Sequence, residues 1–174
     1  MIQRVKQVAA ALTAKVSDSD YDFVRNHLNK DGERLFAAMN LPDKRHVLNV
    51  AYTAMKLADG VDNVDKPLLI RCALLHDAGK QQGDVSTWDK IAAVLAHNIA
   101  PRWARRWARQ GRGTKIANLR HAFHIYFHHA DRSAAMLRAL GLEAEAAIVA
   151  CHHDAPKPGE PIELTLLRQA DDLH

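Results

Sequence analysis

The sequence predicts an all-α fold, a compact helical bundle, on three observations. Apolar residues recur at helical spacing along most of the chain, and N-cap residues and glycine stops punctuate these runs. No segment shows strand alternation or a βαβ pattern, and there is no internal repeat or low-complexity tract. The caps and breaks divide the chain into about seven or more helices.

Taken in order, Ile2, Val5, Val8, Ala9, Leu12 and Val16 share one face with Lys and Arg opposite, which predicts a packing helix. Ser17, Asp18, Ser19 and Asp20 are N-cap candidates for a helical region through Leu28. Asp31-Gly32 is expected to break that region before Leu35, Phe36 and Met39 continue it. Pro42 and Asp43 suit a helix N-terminus, and Val47, Val50, Ala51, Ala54 and Leu57 follow on a buried face. His46 falls in the first turn, at the border of that face. Gly60 closes this helix, and Asp65 with Pro67 opens the next as N-cap and early helical proline.

That next helix is the centre of the chain. Leu68, Leu69, Ile70, Cys72, Ala73, Leu74 and Leu75 surround it almost completely, broken only by Arg71, so it is expected to run through the interior. It ends in His76-Asp77-Ala78-Gly79-Lys80, which delivers two hydrophilic side chains to a buried position. A buried carboxylate needs a cation, and the adjacent imidazole favours divalent transition metals. Gly79 fits a left-handed helix stop, and Lys80 beyond it can meet an anion. The plain alternative is a hydrogen-bonded His-Asp pair at a helix end, so the rest of the chain has to decide.

Between Gln81 and Arg120 eight basic residues face only Asp84 and Asp89, a net +6, which leaves the rest of a +4 chain at −2. Trp88, Trp103 and Trp107 lie in the same segment. Arg102, Arg105, Arg106 and Arg109 share one expected helix with Trp103 and Trp107, ahead of a flexible Gly111-Arg112-Gly113. Such a segment is either a solvated basic helix or a surface for an anionic ligand or partner.

His121, His124, His128 and His129 come next, among Phe123, Tyr126 and Phe127. Helical spacing resumes with Ala130, Ala134, Leu137 and Leu140 and stops at Gly141. Ser133, four residues after His129, leaves room on one helical face, as close approach by a metal and a substrate would require. A short apolar helix over Ala144 to Ala150 ends in Cys151-His152-His153-Asp154. A Pro-rich turn at Pro156, Pro158 and Pro161 precedes a last helix through Ile162, Leu164, Leu166 and Leu167 to Ala170-Asp171-Asp172.

A chain of 174 residues suits one domain with a real core. No apolar run approaches the ~18 residues of a membrane span, and no signal-peptide run opens the chain, so the cytoplasm is the expected compartment. Cys72 and Cys151 sit in apolar surroundings without CxxC spacing and read as buried fillers, not as a disulfide framework. Eleven histidines are many, and they are spread along helices instead of forming one tract.

The ordered set of Arg45-His46-Val47-Leu48-Asn49-Val50-Ala51, Ala73 to Lys80, His129 to Gly141, His152-His153 and Ala170-Asp171 resembles the HD-domain superfamily of metal-dependent phosphohydrolases. The resemblance covers about residues 42–174, within which the basic insert occupies about 81–120; residues 1–41 would be an N-terminal helical extension packing on that domain. It implies one divalent metal held by His46, His76, Asp77 and Asp171. It further implies that Asp77 bridges to a second metal held by His129 and one or both of His152 and His153; spacing alone leaves Asp172 open in place of Asp171 at the first. Lys80 would contact the substrate phosphate; by charge, and not by the resemblance, Arg102 and Arg106 of the insert are expected to help bind it. The chain departs from the pattern at Ala130 and Ser133, where many relatives carry Pro and Gly. It also lacks the Gly-Tyr-Pro signature of the branch that cleaves cyclic dinucleotides, so that substrate is not assigned.

Two metals ~3.5–4 Å apart that share and activate a water suit displacement at phosphorus. The mixed His and carboxylate set suits Mn, Fe, Co, Ni or Zn more than a pure Mg site. Three functions follow from the sequence. The first is a hydrolase of phosphate mono- or diesters, nucleotides foremost, that uses a metal-bound hydroxide. The second is a di-iron oxygenase on the same scaffold. The third is a non-catalytic metal-containing module whose basic insert docks on nucleic acid or another polyanion. Lys80 favours the first, and a ligand series longer than four argues against a purely structural metal.

Overall fold

A computed structural model describes residues 15–83, Asp89, Ala93, Ala96 and 100–174. The helix expected over Ile2 to Val16 lies almost wholly outside the described residues, as do Trp88 and Lys90. Among the described residues the elements are helices: α1 (Asp18–His27), α2 (Lys30–Ala38), α3 (Leu41–Leu57), α4 (Lys66–Leu75), α5 (Pro101–Trp107), α6 (Lys115–Ala139), α7 (Glu143–Ala150) and α8 (Ile162–Asp172). The only β pairing among them is a single bridge between Met39 and Gln81. The all-α expectation holds.

The helix starts follow local chemistry. Ser17 caps α1 through a reciprocal box with Asp20, and the Asn29, Asn40, Asp65 and Thr114 side chains each accept a hydrogen bond from the exposed first turn of their helix. Asn29 corrects the expected break at Asp31-Gly32. The chain turns at Leu28 and Asn29, and Gly32 lies inside α2, where its N–H donates to Asn29 Oδ1 at 2.8 Å. A capping side chain three residues earlier outweighs the helix-breaking tendency of one glycine.

Helix α4 is the hub, as its all-round apolar surface predicts. It touches α1, α2, α3, α7 and α8, and Leu69, Cys72, Ala73, Leu74 and Leu75 are fully buried. Val24, Phe36, Met39, Val47, Leu48, Val50, Val149 and Leu167, with Leu137 of α6, join it in one continuous core. Cys72 and Cys151 are free thiols, and burial pushes the Cys72 thiol well above its ordinary pKa.

Two polar contacts fasten α1 to α3 across this core. Arg45 Nη1 donates to Asp20 Oδ2 at 2.9 Å, and the Tyr52 hydroxyl donates to Asp20 Oδ1 at 2.8 Å. Nothing in the sequence pattern pairs these three residues. Elsewhere α6 runs unbroken for 25 residues, so the His121 to His129 stretch and the periodic segment after it are one helix. Helix α5 is shorter than expected: it ends at Trp107 and leaves Arg109 outside, with Arg120 of α6 donating to the Trp107 carbonyl at 3.2 Å. No helix among the described residues is long and apolar enough to cross a membrane.

Candidate metal centre

The C-terminal end of α4 meets the second turn of α3, the middle of α6, the turn after α7 and the last turn of α8. These five places supply His76-Asp77, His46, His129, His152-His153 and Asp171. Asp77 is 1% exposed and sits in the middle. Its Oδ2 lies 3.7 Å from both His46 Nε2 and His76 Nε2, and its Oδ1 lies 3.4 Å from His129 Nε2. Asp171 Oδ1 lies 3.0 Å from His46 Nε2 and 3.6 Å from His76 Nε2. His129 Nε2 and His153 Nε2 are 2.8 Å apart.

Three of these imidazoles are oriented by one device. His76 Nδ1 faces the Ala73 carbonyl at 2.8 Å, His129 Nδ1 the Tyr126 carbonyl at 2.8 Å and His152 Nδ1 the Val149 carbonyl at 2.6 Å. A carbonyl only accepts, so each Nδ1 carries a proton and each Nε2 points towards the cluster, where the neutral ring offers its lone pair. His76 Nε2, His152 Nε2 and Asp77 Oδ1 are buried with no hydrogen-bond partner in the protein. Three orphaned acceptors around one point, each costly to bury unpaired, fit a cation.

Separations support the same fit. Ligands ~2.1 Å from one divalent ion lie ~3.0–3.4 Å from each other. The 3.0–3.7 Å spacings around Asp77 and Asp171 are close to those edges. His46, His76 and Asp171 form one potential ligand group, and His129, His152 and His153 form another. His76, Asp77 and His152 make a third group lying between them. His46, His76, Asp77, His129, His152, His153 and Asp171 therefore reach one cluster. Asp172, by contrast, is exposed and faces a neighbouring cleft.

Electrostatics organise the protein around Asp77. Burial alone would raise its pKa, but Lys80, His76, His129 and His46 outweigh burial and hold it well below the carboxylate range. Lys80 Nζ donates to Asp77 Oδ2 at 2.7 Å, and although burial disfavours its charge, the Asp77 carboxylate raises its pKa overall. Burial also opposes the charged form of His76, but Asp77 and Asp171 raise it to about 8. His152 goes the other way: burial and the neighbouring His76 and His153 push it down to about 3, so its imidazole is neutral and available as a ligand.

Two expectations about this region are corrected. Gly79 does not adopt a left-handed conformation. Its absent side chain instead lets the turn after Asp77 press against α6, where a Cβ would lie 2.5 Å from the His129 carbonyl oxygen. The room beside Ser133 is filled by that same turn, since Gly79 N–H donates to Ser133 Oγ at 2.8 Å.

Arg102 and Arg106 lie on exposed turns of α5, which packs on α6; the cation that touches Asp77 is Lys80. A second group near the site leaves no signal in the sequence pattern. Arg168 of α8 contacts Glu160 and donates through Nη2 to the Cys151 carbonyl at 3.1 Å, directly before His152-His153. Arg168 and Glu160 border a cleft of ≈ 640 Å³ that runs from His152, His153 and Asp171 out to Lys157, Gly159 and Gln169.

Comparisons with curated proteins and with solved structures returned no significant match. The family model described as HD domain matches residues 44–174, which include every residue of the cluster. The chain therefore belongs to the HD-domain family, a superfamily of metal-dependent hydrolases whose members bind divalent metals.

Proposed function

We propose that the protein is a phosphohydrolase that cleaves a phosphate mono- or diester, with nucleotides as the leading substrate class. The observation that carries this reading is Lys80. Its ammonium lies 2.7 Å from Asp77 Oδ2, one contact away from the candidate ligands, and its raised pKa keeps it charged at neutral pH. A permanent cation beside a carboxylate and histidine cluster suits a substrate that brings several negative oxygens.

His46, His76, Asp77 and Asp171 would hold one divalent ion, and Asp77, His129 and His152, with His153, a second. Bound there, such ions supply a Lewis acid and lower the pKa of a water molecule. The chain's own residues do the rest. Ala73, Tyr126 and Val149 fix the imidazoles through their carbonyls, so the donor atoms need no reorganisation. Lys80 spends one N–H on Asp77 and keeps two to orient a phosphoryl oxygen. The adjoining cleft, with Lys157 and Arg168 on its wall, is large enough to take the organic part of a nucleotide ester.

The test is release of nitrophenol from nitrophenyl phosphate and bis(nitrophenyl) phosphate, together with a nucleotide screen, by protein supplied with Mn, Co, Ni, Fe or Zn. Metal-dependent turnover that Asp77→Ala abolishes is the expected result. No turnover of any ester or nucleotide by metal-replete protein would overturn the reading. Paired iron with a mixed-valence spectrum on partial oxidation would replace it with the oxygenase.

A further inference from the structure

Away from the metal centre, α5 and the first turns of α6 build a surface that the proposed hydrolysis does not use. Between Ala100 and Ala130 the sequence holds seven basic residues and no acidic one. Arg102, Arg105, Arg106, Arg109, Arg112 and Lys115 are all exposed, which is ordinary for a basic helix. The apolar residues among them are less ordinary. Trp103 is 53% exposed and Ile116 is 66% exposed.

The Trp103 indole is held in place, not splayed at random. Trp103 and Trp107 stack with ring centres 5.3 Å apart and planes 16° from parallel. Both meet the Phe123 ring edge-on, and the Arg120 guanidinium covers Trp107 at 5.7 Å. Trp107 is thereby the inner ring of the pair and Trp103 the outer one. A large indole fixed at the surface and a bare isoleucine, in a segment whose charged residues are all basic and mostly exposed, match what an interfacial membrane contact requires. Apolar groups enter the boundary between headgroups and acyl chains, an indole settles at headgroup depth, and guanidinium groups meet lipid phosphates.

We propose that this face docks the protein on an anionic phospholipid surface. Charge complementarity gives the sign of the partner, and Ile116 separates a lipid from a nucleic acid. Trp103 could stack on a base, but an exposed aliphatic side chain gains nothing from stacking and gains from transfer into hydrocarbon. The proposal does not depend on the hydrolase reading, because it places none of these residues at the metals.

The experiment is co-sedimentation of the full chain with vesicles of phosphatidylcholine alone and of phosphatidylcholine mixed with phosphatidylglycerol. Sedimentation with the mixed vesicles only, weakening as salt is raised and accompanied by a blue shift in tryptophan emission, is expected. Arg105→Glu with Arg109→Glu should lower vesicle affinity at least about tenfold. Ile116→Asp should lower it as well, and because that side chain is so exposed the variant keeps its fold, which circular dichroism checks. Failure to bind anionic vesicles at low salt, unchanged binding by the folded variants, or binding of single-stranded RNA in place of vesicles would each overturn the proposal.

Discussion

Gly79 and Ser133 are 54 residues apart in sequence and share a buried hydrogen bond of 2.8 Å from the Gly79 N–H to Ser133 Oγ. The contact locks the turn that carries His76-Asp77 onto the helix that carries His129. A Cβ at residue 79 would lie 2.5 Å from the His129 carbonyl oxygen, 2.9 Å from Arg132 Cβ and 3.0 Å from the Ser133 nitrogen. The two partners are small because backbones meet here. That approach fixes the 3.4 Å separation of Asp77 Oδ1 from His129 Nε2.

Gly79→Ala is therefore expected to act through overpacking, since the residue has no left-handed backbone to lose. It should cost about 1–3 kcal/mol, and a chain of this size loses roughly 2–4 °C in Tm per kcal/mol. Ser133→Ala leaves the Gly79 N–H buried without its acceptor, at about 1–3 kcal/mol. Thermal melts of both single variants and the double variant check this. Because the residues touch, the two losses should not add.

This pair also marks the boundary of what the sequence made legible. The apolar girdle of α4, the caps at Ser17 and Asp65 and the glycine after α6 are local signals, and they placed the helices. His76-Asp77, His152-His153 and Asp171 of the cluster were legible because such identities are unusual at or just beyond helix ends, whereas His129, in the middle of α6, entered through the family resemblance. Gly79 was misread as a chain-reversal device because sequence shows that a glycine is present, not which backbone approaches it. Ser133 was misread for the same reason, and the link from Asp20 to Arg45 and Tyr52, 25 and 32 residues away, was not read at all. Contacts at that distance leave no period to read.

Metal removal should destabilise the protein. The unpartnered Asp77 Oδ1, His76 Nε2 and His152 Nε2 stay costly to bury until a cation meets them. At a free metal concentration of ~100 Kd the ion adds about 2.7 kcal/mol, or roughly 5–11 °C in Tm. Differential scanning fluorimetry with and without a chelator should show this shift in the native chain. The shift should vanish in Asp77→Ala, and a persistent shift in that variant would place the metal elsewhere.

His152 and His153 are adjacent but unequal. His152 is 3% exposed with its Nδ1 held by the Val149 carbonyl, whereas His153 is exposed and faces His129. The preorganised donor should matter more, so His152→Ala should weaken metal binding by about 10–100-fold and His153→Ala by less. Competition against a metal-binding dye compares the two directly.

The Asp20 junction between α1 and α3 makes stability depend on pH at both ends of the scale. Burial would raise the Asp20 pKa, but hydrogen bonds from Ser17 and Tyr52 and the charge of Arg45 outweigh it and hold it below the ordinary carboxylate value. A carboxylate with a lowered folded pKa contributes stability above about pH 4 and loses that contribution as pH falls through the folded value. Tyr52 is the opposite case. Burial, the hydrogen bond to Asp20 and the Asp20 charge push its phenol up to about 12, so its contribution is complete below about pH 10 and is lost between about 10 and 12. Tyr52→Phe should cost about 1 kcal/mol at neutral pH through the lost hydrogen bond. It should also move the acid edge upward, because Asp20 loses a donor that favours its charged form. Asp20→Asn should flatten the acid edge and let Tyr52 ionise closer to pH 10. Denaturant unfolding across pH together with ultraviolet tyrosinate titration measures both shifts. An acid edge left unmoved in Tyr52→Phe would mean that other carboxylates set it.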